Sequence, residues 1–144
     1  MFCNFYFGGY SEFSELKISL KSYLQDVQIT ETDDKITVSY DGFTLFINEG
    51  GHGAMFASED YSMELKYSCY IDIIASYTNW AYELMVFIGK VLSDIDGDCI
   101  LELNDKPILL RKNDVITVDG KKLSGTVDFP FYGLGLDFQV GDIA

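Results

Sequence analysis

The stretch "WAYELMVFIGKVLSDIDGDCILELNDKPILLRKNDVITVD", Trp80 to Asp119, carries the strongest structural signals in the sequence. Its first part repeats apolar residues at helical spacing and leaves only a narrow polar strip, so the helix must be covered, most simply by a sheet. The part after it consists of short apolar runs separated by Asn-Asp and Asp-Gly turns, which is typical of a strand meander. The apolar face of the helix consists of Trp80, Leu84, Phe87, Ile88 and Val91. The predicted strands are "CILEL", "PILLR", "VITV" and, at 126–129, "TVDF".

The same two patterns occur upstream of this stretch. A strand at Phe2–Phe7 precedes a helical stripe between residues 11 and 27, and from Gln28 onward the apolar period is two. We therefore expect strands in "QITET", "KITVSY" and "FTLFIN", a loop at "NEGGHG", a short strand at Ala54–Ala57 and a long strand in "SMELKYSCYIDIIA". The prediction is a single globular α+β domain, residues 1–144. Its meander-rich antiparallel sheet has about eight or more strands and about two helices packed on it.

The charge balance restricts the possible partners. The chain has 23 Asp and Glu residues against 10 Lys and Arg residues, a formal net charge of −13. Proteins bind nucleic acids and anionic membranes through clustered Lys and Arg residues. Because acidic residues outnumber basic ones here, neither is expected to bind this chain. A strongly negative protein attracts cationic macromolecules and accelerates their capture. We expect a basic protein as partner, although acidity also serves solubility alone.

The cysteines and the apolar segments indicate the compartment. Cys3, Cys69 and Cys99 are scattered and odd in number, which fits reduced thiols better than a disulfide framework or a zinc knuckle. The opening "MFCNFYFGGY" lacks the basic region of a secretory signal. The most apolar stretch, residues 70–92, is interrupted by charged residues and is not expected to span a bilayer. The sequence is typical of a soluble cytoplasmic protein.

The segment "SDIDGDCILELND", Ser93 to Asp105, resembles a calcium-binding loop in part. Asp94, Asp96 and Asp98 occupy the first three ligand positions of such a loop. The sixth position is Cys99 where glycine is required, and the twelfth is Asp105 where a bidentate Glu is usual. A calcium site remains an alternative; the preferred interpretation is a helix-to-strand turn with solvated carboxylates.

The sequence contains little that indicates catalysis. His52 is the only histidine, and "GGHG" at Gly50–Gly53 lacks the Lys-Ser/Thr pair of a phosphate-binding loop. A G-x-S-x-G nucleophile motif is also absent. A pair of facing carboxylates, as in glycoside hydrolases, stays open. We predict no enzyme activity, no metal and no cofactor.

Acidic loop positions are the candidate partner-binding residues. Tyr61 follows Glu59 and Asp60 in a polar segment, and an exposed tyrosine with an acidic rim is a common interface anchor. A solvated loop tyrosine is the alternative, and solvated acidic turns are the alternative for the other positions. The predicted set is Asp33, Asp34, Glu59, Asp60, Tyr61, Asp94, Asp96 and Asp98.

The stretch from Trp80 to Asp119 resembles the C-terminal half of bacterial immunity proteins, the antidotes encoded beside polymorphic or contact-dependent growth inhibition toxins. The resemblance rests on a mostly apolar helix, a Gly97-Asp98 turn, a strand at Ile100–Leu103 and a hairpin carrying Leu110-Arg111. It implies a catalytically silent protein that binds one toxin domain and blocks it. The charge balance, and not the resemblance, favours a basic nuclease as that toxin, because a nuclease carries a basic cleft for its substrate. A calcium-binding module and a structural or adaptor module are the alternatives.

Overall fold

The computed structural model describes residues 1–121 and 129–143. Within these ranges the chain forms three α-helices, one 3₁₀ helix and nine strands, which confirms the predicted α+β class. The helices are α1 (Phe13–Tyr23), α2 (His52–Tyr61) and α3 (Trp80–Asp94), and the 3₁₀ helix is Phe131–Leu134. The strands are β1 (Phe2–Phe7), β2 (Gln28–Glu31), β3 (Lys35–Ser39), β4 (Phe43–Glu49), β5 (Tyr67–Ile73), β6 (Cys99–Leu103), β7 (Lys106–Lys112), β8 (Val115–Val118) and β9 (Gln139–Val140).

All nine strands belong to one sheet, in the order β2-β3-β4-β5-β1-β6-β7-β8-β9. The pairs are antiparallel, except for the parallel pair of β8 with β9. The apolar N-terminal strand β1 lies in the middle, where β5 and β6 flank it. Two-residue turns, Asn104-Asp105 and Asn113-Asp114, close the last two hairpins with positive φ at all four residues. This geometry matches the twist of the strands, and Asn and Asp tolerate it best after glycine.

One face of the sheet carries the main core. Alternate residues of β1, namely Cys3, Phe5 and Phe7, are buried there, as the period of two requires. The apolar stripes of α1 and α3 pack on this face, and the 3₁₀ helix joins the same core through Phe131 and Leu134. The predicted covering of α3 is confirmed: Leu84, Phe87, Ile88 and Val91 are buried, and Trp80 packs against them half-exposed.

The prediction of a short strand at Ala54–Ala57 is wrong, because these residues lie in helix α2. The loop predicted at "NEGGHG" is limited to Gly50 and Gly51, between β4 and α2. The N-terminus of α2 follows these two glycines, both at positive φ. Ala54 and Ala57, three residues apart, are buried toward the sheet. Gly53 permits this approach, since a Cβ at that position would lie 2.4 Å from the Tyr6 hydroxyl oxygen. The count of about two helices is therefore too low by one α-helix.

Three further points concern single segments. The strand in "SMELKYSCYIDIIA" is shorter than predicted, because β5 covers only Tyr67–Ile73. The residues before it connect α2 to β5. The strand expected at 126–129 lies outside the described residues, apart from Phe129, which is irregular. None of the helices in the described ranges has the length and apolar character needed to cross a membrane.

The buried residue Arg111 joins α3 to the meander. From β7 its guanidinium donates three hydrogen bonds: Nη1 to the Leu92 carbonyl at 2.8 Å, Nη2 to the Ile95 carbonyl at 2.8 Å and Nε to the Gly97 carbonyl at 2.9 Å. Leu92 is in the last turn of α3, where carbonyls lack helical partners and where the helix dipole favours a cation. One side chain thus fixes both the end of the helix and the connection to β6.

Replacing Arg111 with Met should destabilise the protein by about 3 kcal/mol, because two buried carbonyls and one partly buried carbonyl lose a charged donor while the aliphatic volume is kept. Urea unfolding followed by circular dichroism measures the change. The matched control is Lys106→Met on the same strand, where the side chain is exposed and little change is expected. Equal unfolding midpoints for the two variants would contradict the role given to Arg111.

Gly89 sets the distance between α3 and the 3₁₀ helix. A Cβ at this position would lie 2.1 Å from the carbonyl oxygen of Leu134, a backbone atom. Gly89→Ala should therefore lower stability by about 2 kcal/mol through overpacking, although alanine is the better helix former. Lys90→Ala on the exposed side of the same helix is the control. A stabilised Gly89→Ala variant in thermal unfolding would show that this packing is loose.

Candidate protein-binding surface

The second face of the sheet is only partly covered, and it carries a row of aromatic side chains. Phe2 of β1, Tyr70 of β5 and Phe46 of β4 form the aromatic strip. The Phe2 and Tyr70 rings stack with centroids 5.9 Å apart, and Phe46 and Tyr70 are 6.4 Å apart. Tyr70 is 45% exposed, unlike the tyrosines and phenylalanines of the main core. The strip is apolar area that the isolated chain leaves in water.

Strand register explains why these rings meet. Tyr70 pairs directly with Phe46 on one side and with Asn4 on the other, and directly paired residues share a face. Asn4 in turn pairs with Glu102 of β6. One row across four strands therefore reads Phe46, Tyr70, Asn4 and Glu102. Helix α2 covers the neighbouring part of this face, where Ala57, Met63, Leu65 and Ile100 form a small second core.

An acidic cluster lies at the β6 end of that row, formed by Glu102, Asp60 at the end of α2 and Asp105 in the β6–β7 turn. Glu102 is half-buried, and burial raises the pKa of its carboxyl above the usual value, with the charges of Asp105 and Asp60 adding to the rise. A bulge in the β6–β7 pairing falls between Leu101 and Glu102. Bulges re-aim side chains and are frequent beside functional sites.

Two tyrosines border the acidic cluster. Burial raises the pKa of Tyr6, and the charges of Glu102 and Asp105 raise it further. Burial likewise raises the pKa of Tyr61, with Glu102 and Asp60 contributing. Both hydroxyls therefore stay protonated in neutral solution and can donate hydrogen bonds. The cluster combines carboxylate acceptors with phenol donors at the rim of an apolar strip.

The predicted residues Glu59, Asp60 and Tyr61 form the C-terminal end of α2 instead of a loop. Glu59 and Asp60 are exposed, and Asp60 joins the acidic cluster. The prediction that Tyr61 is exposed is wrong, because its ring packs half-buried against the small second core. Its carbonyl accepts a 2.8 Å hydrogen bond from Lys112 Nζ, which ties α2 to β7.

The predicted residues Asp33 and Asp34 lie elsewhere. They form the turn between β2 and β3 at the edge of the sheet, and both are exposed. Strands β4, β5 and β1 separate this turn from the acidic cluster on β6. The Asp33 carbonyl accepts a 3.2 Å hydrogen bond from Lys17 Nζ of α1, which fixes the turn. The structure does not bring these two carboxylates to the aromatic strip.

Asp94, Asp96 and Asp98 form a third group in the connection from α3 to β6. Asp94 accepts a short hydrogen bond from the Tyr10 hydroxyl, Asp96 is exposed, and Asp98 Oδ1 accepts from the Asn113 backbone N–H at 3.3 Å. The middle positions of such a calcium loop, from Cys99 to Leu103, belong to strand β6, and the twelfth, Asp105, lies in the turn after it. In the described ranges, no group of three or more His, Cys, Asp or Glu side chains could hold a metal ion.

A cavity of about 390 Å³ lies beside Asp94, between α1, α3 and the 3₁₀ helix. Tyr23 lines it with a buried hydroxyl that lies near the hydroxyl of Tyr10. Burial raises the pKa of Tyr23 strongly, and it raises that of Tyr10 to about 12, with the bond to Asp94 adding to the effect. These tyrosines are neutral polar groups and not anions at physiological pH.

His52 and the cysteines take structural or solvent-facing positions. His52 starts α2 in an exposed position, with its ring 6.2 Å from that of Phe56. Cys3, Cys69 and Cys99 are buried and unpaired, and burial raises the pKa of the thiols. A raised thiol pKa keeps these cysteines protonated and poorly nucleophilic.

No protein-family model, no curated protein sequence and no solved structure matches this chain. The surface described above has a clear chemical character of its own. Its rings offer apolar area to bury, and its carboxylates offer acceptors to cationic groups. Its position on a sheet makes the arrangement rigid before any ligand arrives. Such a surface presents aromatic area and carboxylates side by side.

Glu102 costs the isolated protein stability at neutral pH. Its pKa is higher in the folded than in the unfolded chain, so the folded state binds the proton more tightly. The loss of stability caused by the Glu102 carboxylate is therefore absent below the pKa that Glu102 has in the unfolded chain. It grows as the pH rises through the pKa that Glu102 has in the folded chain. We expect Glu102→Gln to be more stable than the wild type at pH 7 and equally stable at pH 3.5.

Urea unfolding at the two pH values tests this expectation. Glu59→Gln, at an exposed carboxyl on α2, is the control and should leave the midpoint nearly unchanged. A Glu102→Gln variant that is less stable than the wild type at pH 7 would mean that Glu102 is held by favourable contacts.

Proposed function

We propose that this chain is an immunity protein that neutralises a basic toxin domain, a nuclease, by binding it one-to-one. The aromatic strip and the adjoining acidic cluster are the proposed contact surface. The observation that carries the proposal is that this face leaves apolar rings in water beside carboxylates that repel one another. Both features cost the isolated chain free energy, and a basic partner would remove both costs.

The apolar part of the surface supplies the anchors. Interface energy is concentrated in a few aromatic and charged residues near the centre, surrounded by contacts that exclude water. Tyr70 occupies that position here, since Phe2 and Phe46 flank it and polar residues surround the strip. Tyrosine also adds a hydroxyl and loses little conformational entropy on binding.

The charge supplies partner choice and speed. The net charge of −13 gives the chain a long-range attraction for cationic surfaces. A nuclease needs a basic cleft for its phosphate substrate, and carboxylates on a rigid frame can occupy that cleft or its rim. Steering raises association rates toward about 10⁸ M⁻¹s⁻¹, which an antidote needs against a catalytic toxin. Inhibition of this kind requires no catalysis and no cofactor.

The proposed place of action is the cytoplasm. Three unpaired, buried thiols are compatible with a reducing compartment, where disulfides are rare. A nuclease toxin also acts on nucleic acid in that compartment. Binding in the cytoplasm would intercept the toxin after its entry and before it reaches its substrate.

The test is co-expression with the protein domain encoded next to this chain's own gene. We expect the neighbour to arrest growth alone, and growth to recover when the wild-type chain is present and co-purifies with it. Tyr70→Thr removes the ring but keeps a good strand former, and it should weaken the complex about tenfold or more by calorimetry. Glu102→Lys should weaken it further, because it places a cation against a basic partner.

The matched control is Asp137→Lys, which makes the same change of charge at an exposed residue just before the edge strand β9, three strands away from β6. This variant should slow association slightly and leave the dissociation rate unchanged. A harmless neighbour that fails to bind the wild type contradicts the immunity function. Rescue that is lost in Asp34→Lys and kept in Tyr70→Thr instead would place the interface at the acidic turns.

A further inference from the structure

We propose that the partner places an arginine side chain in the slot above Asn4, between the ring of Tyr70 and the carboxylate of Glu102. This inference rests on the proposed function and identifies the group that the surface recognises. It assigns Tyr70, Asn4 and Glu102 as specificity-determining residues. The guanidinium would stack on the tyrosine ring and pair with the carboxylate.

The slot follows from the pairing register. Asn4 of β1 pairs with Tyr70 on one side and with Glu102 on the other, so the three side chains leave the sheet on the same face. Strand spacing puts the Cα atoms of Tyr70 and Glu102 about 10 Å apart. Asn4, shorter than either neighbour, forms the floor. Its amide oxygen accepts hydrogen bonds, as the Glu102 carboxylate does.

The aromatic strip already holds a cation at its other end. The ammonium nitrogen of Lys35 lies 5.1 Å from the centroid of the Phe46 ring. In the described part of the chain, the other cation–ring contacts are Lys17 on Phe13 and Lys66 on Tyr67, so Tyr70 is without one. Tyr70 is thus the exposed ring of the strip that shares a row with Glu102 and lacks its own cation.

The chemistry of the slot favours arginine over lysine. A planar guanidinium can stack on an aromatic face and at the same time donate two parallel hydrogen bonds to one carboxylate. Lysine presents a strongly hydrated point charge that cannot make both contacts in this way. The charges of Asp60 and Asp105 on Glu102 strengthen the attraction for any cation, and the guanidinium offsets their repulsion. Anionic ligands are disfavoured by the same charges.

The experiment titrates the isotope-labelled wild-type chain with N-acetyl-arginine amide and, separately, with N-acetyl-lysine amide, following backbone amide resonances by NMR. We expect saturable shifts centred on Asn4, Tyr70 and Glu102, with the arginine probe binding about fivefold more tightly than the lysine probe. Tyr70→Phe keeps the ring and should retain this preference. Tyr70→Thr and Glu102→Gln should each weaken arginine binding severalfold, and Asp34→Asn should not.

Equal affinities for the two probes, or shifts spread over all acidic surfaces and unaffected by Glu102→Gln, would overturn the arginine slot. The amide spectrum of each variant also reports whether it is folded. The outcome is separable from that of the proposed function. If the domain encoded next to this gene binds through Tyr70 but the chain does not prefer the arginine probe, only the arginine slot is contradicted. If the chain prefers the arginine probe but binds no toxin encoded next to its gene, only the immunity function is contradicted.

Discussion

The buried guanidinium of Arg111 is the interaction on which the relation between helix and sheet depends. It reaches from β7 to carbonyls at the end of α3 and in the connection to β6, and it is held by backbone acceptors there. A buried cation satisfied by three carbonyls tolerates little displacement. The position of α3 on the sheet, and with it the path of Asp94, Asp96 and Asp98, follows from this contact. The acidic connection is therefore first of all a structural junction.

The two faces of the sheet differ in how far helices cover them. Strand β1 shows this difference within six residues, because Cys3, Phe5 and Phe7 point into the main core while Phe2, Asn4 and Tyr6 point to the other face. Helices cover the first face, so its side chains serve packing. Among the residues that the structure describes, helix α2 is the element that covers part of the second face. Its remaining rings and carboxylates form the surface that we propose for contact with a partner.

Local patterns in the chain predicted most elements well, and the reasons for the failures are specific. The alternation in β3 and β4, the stripe of α3 and the Asn-Asp turns are local signals that the structure bears out. Helix α2 was hidden because it is short and starts with glycines, whose usual place is a loop. The parallel pairing of β9 with β8 has no local signal. Of the proposed contact surface, the sequence predicted Asp60. It did not predict Phe2, Phe46 and Tyr70, because in the sequence these aromatic residues indicate only strands.

By itself the sequence determined the class of fold, the position of the turns and the acidic character of the molecule, because spacing and composition act over short distances. The tertiary structure alone decided which residues share a surface. Phe46, Tyr70, Asn4 and Glu102 are far apart in the chain, and only strand order and register bring them into one row. It likewise split the acidic residues into three separate groups. Register depends on long-range pairing, which no stretch of the chain encodes within itself.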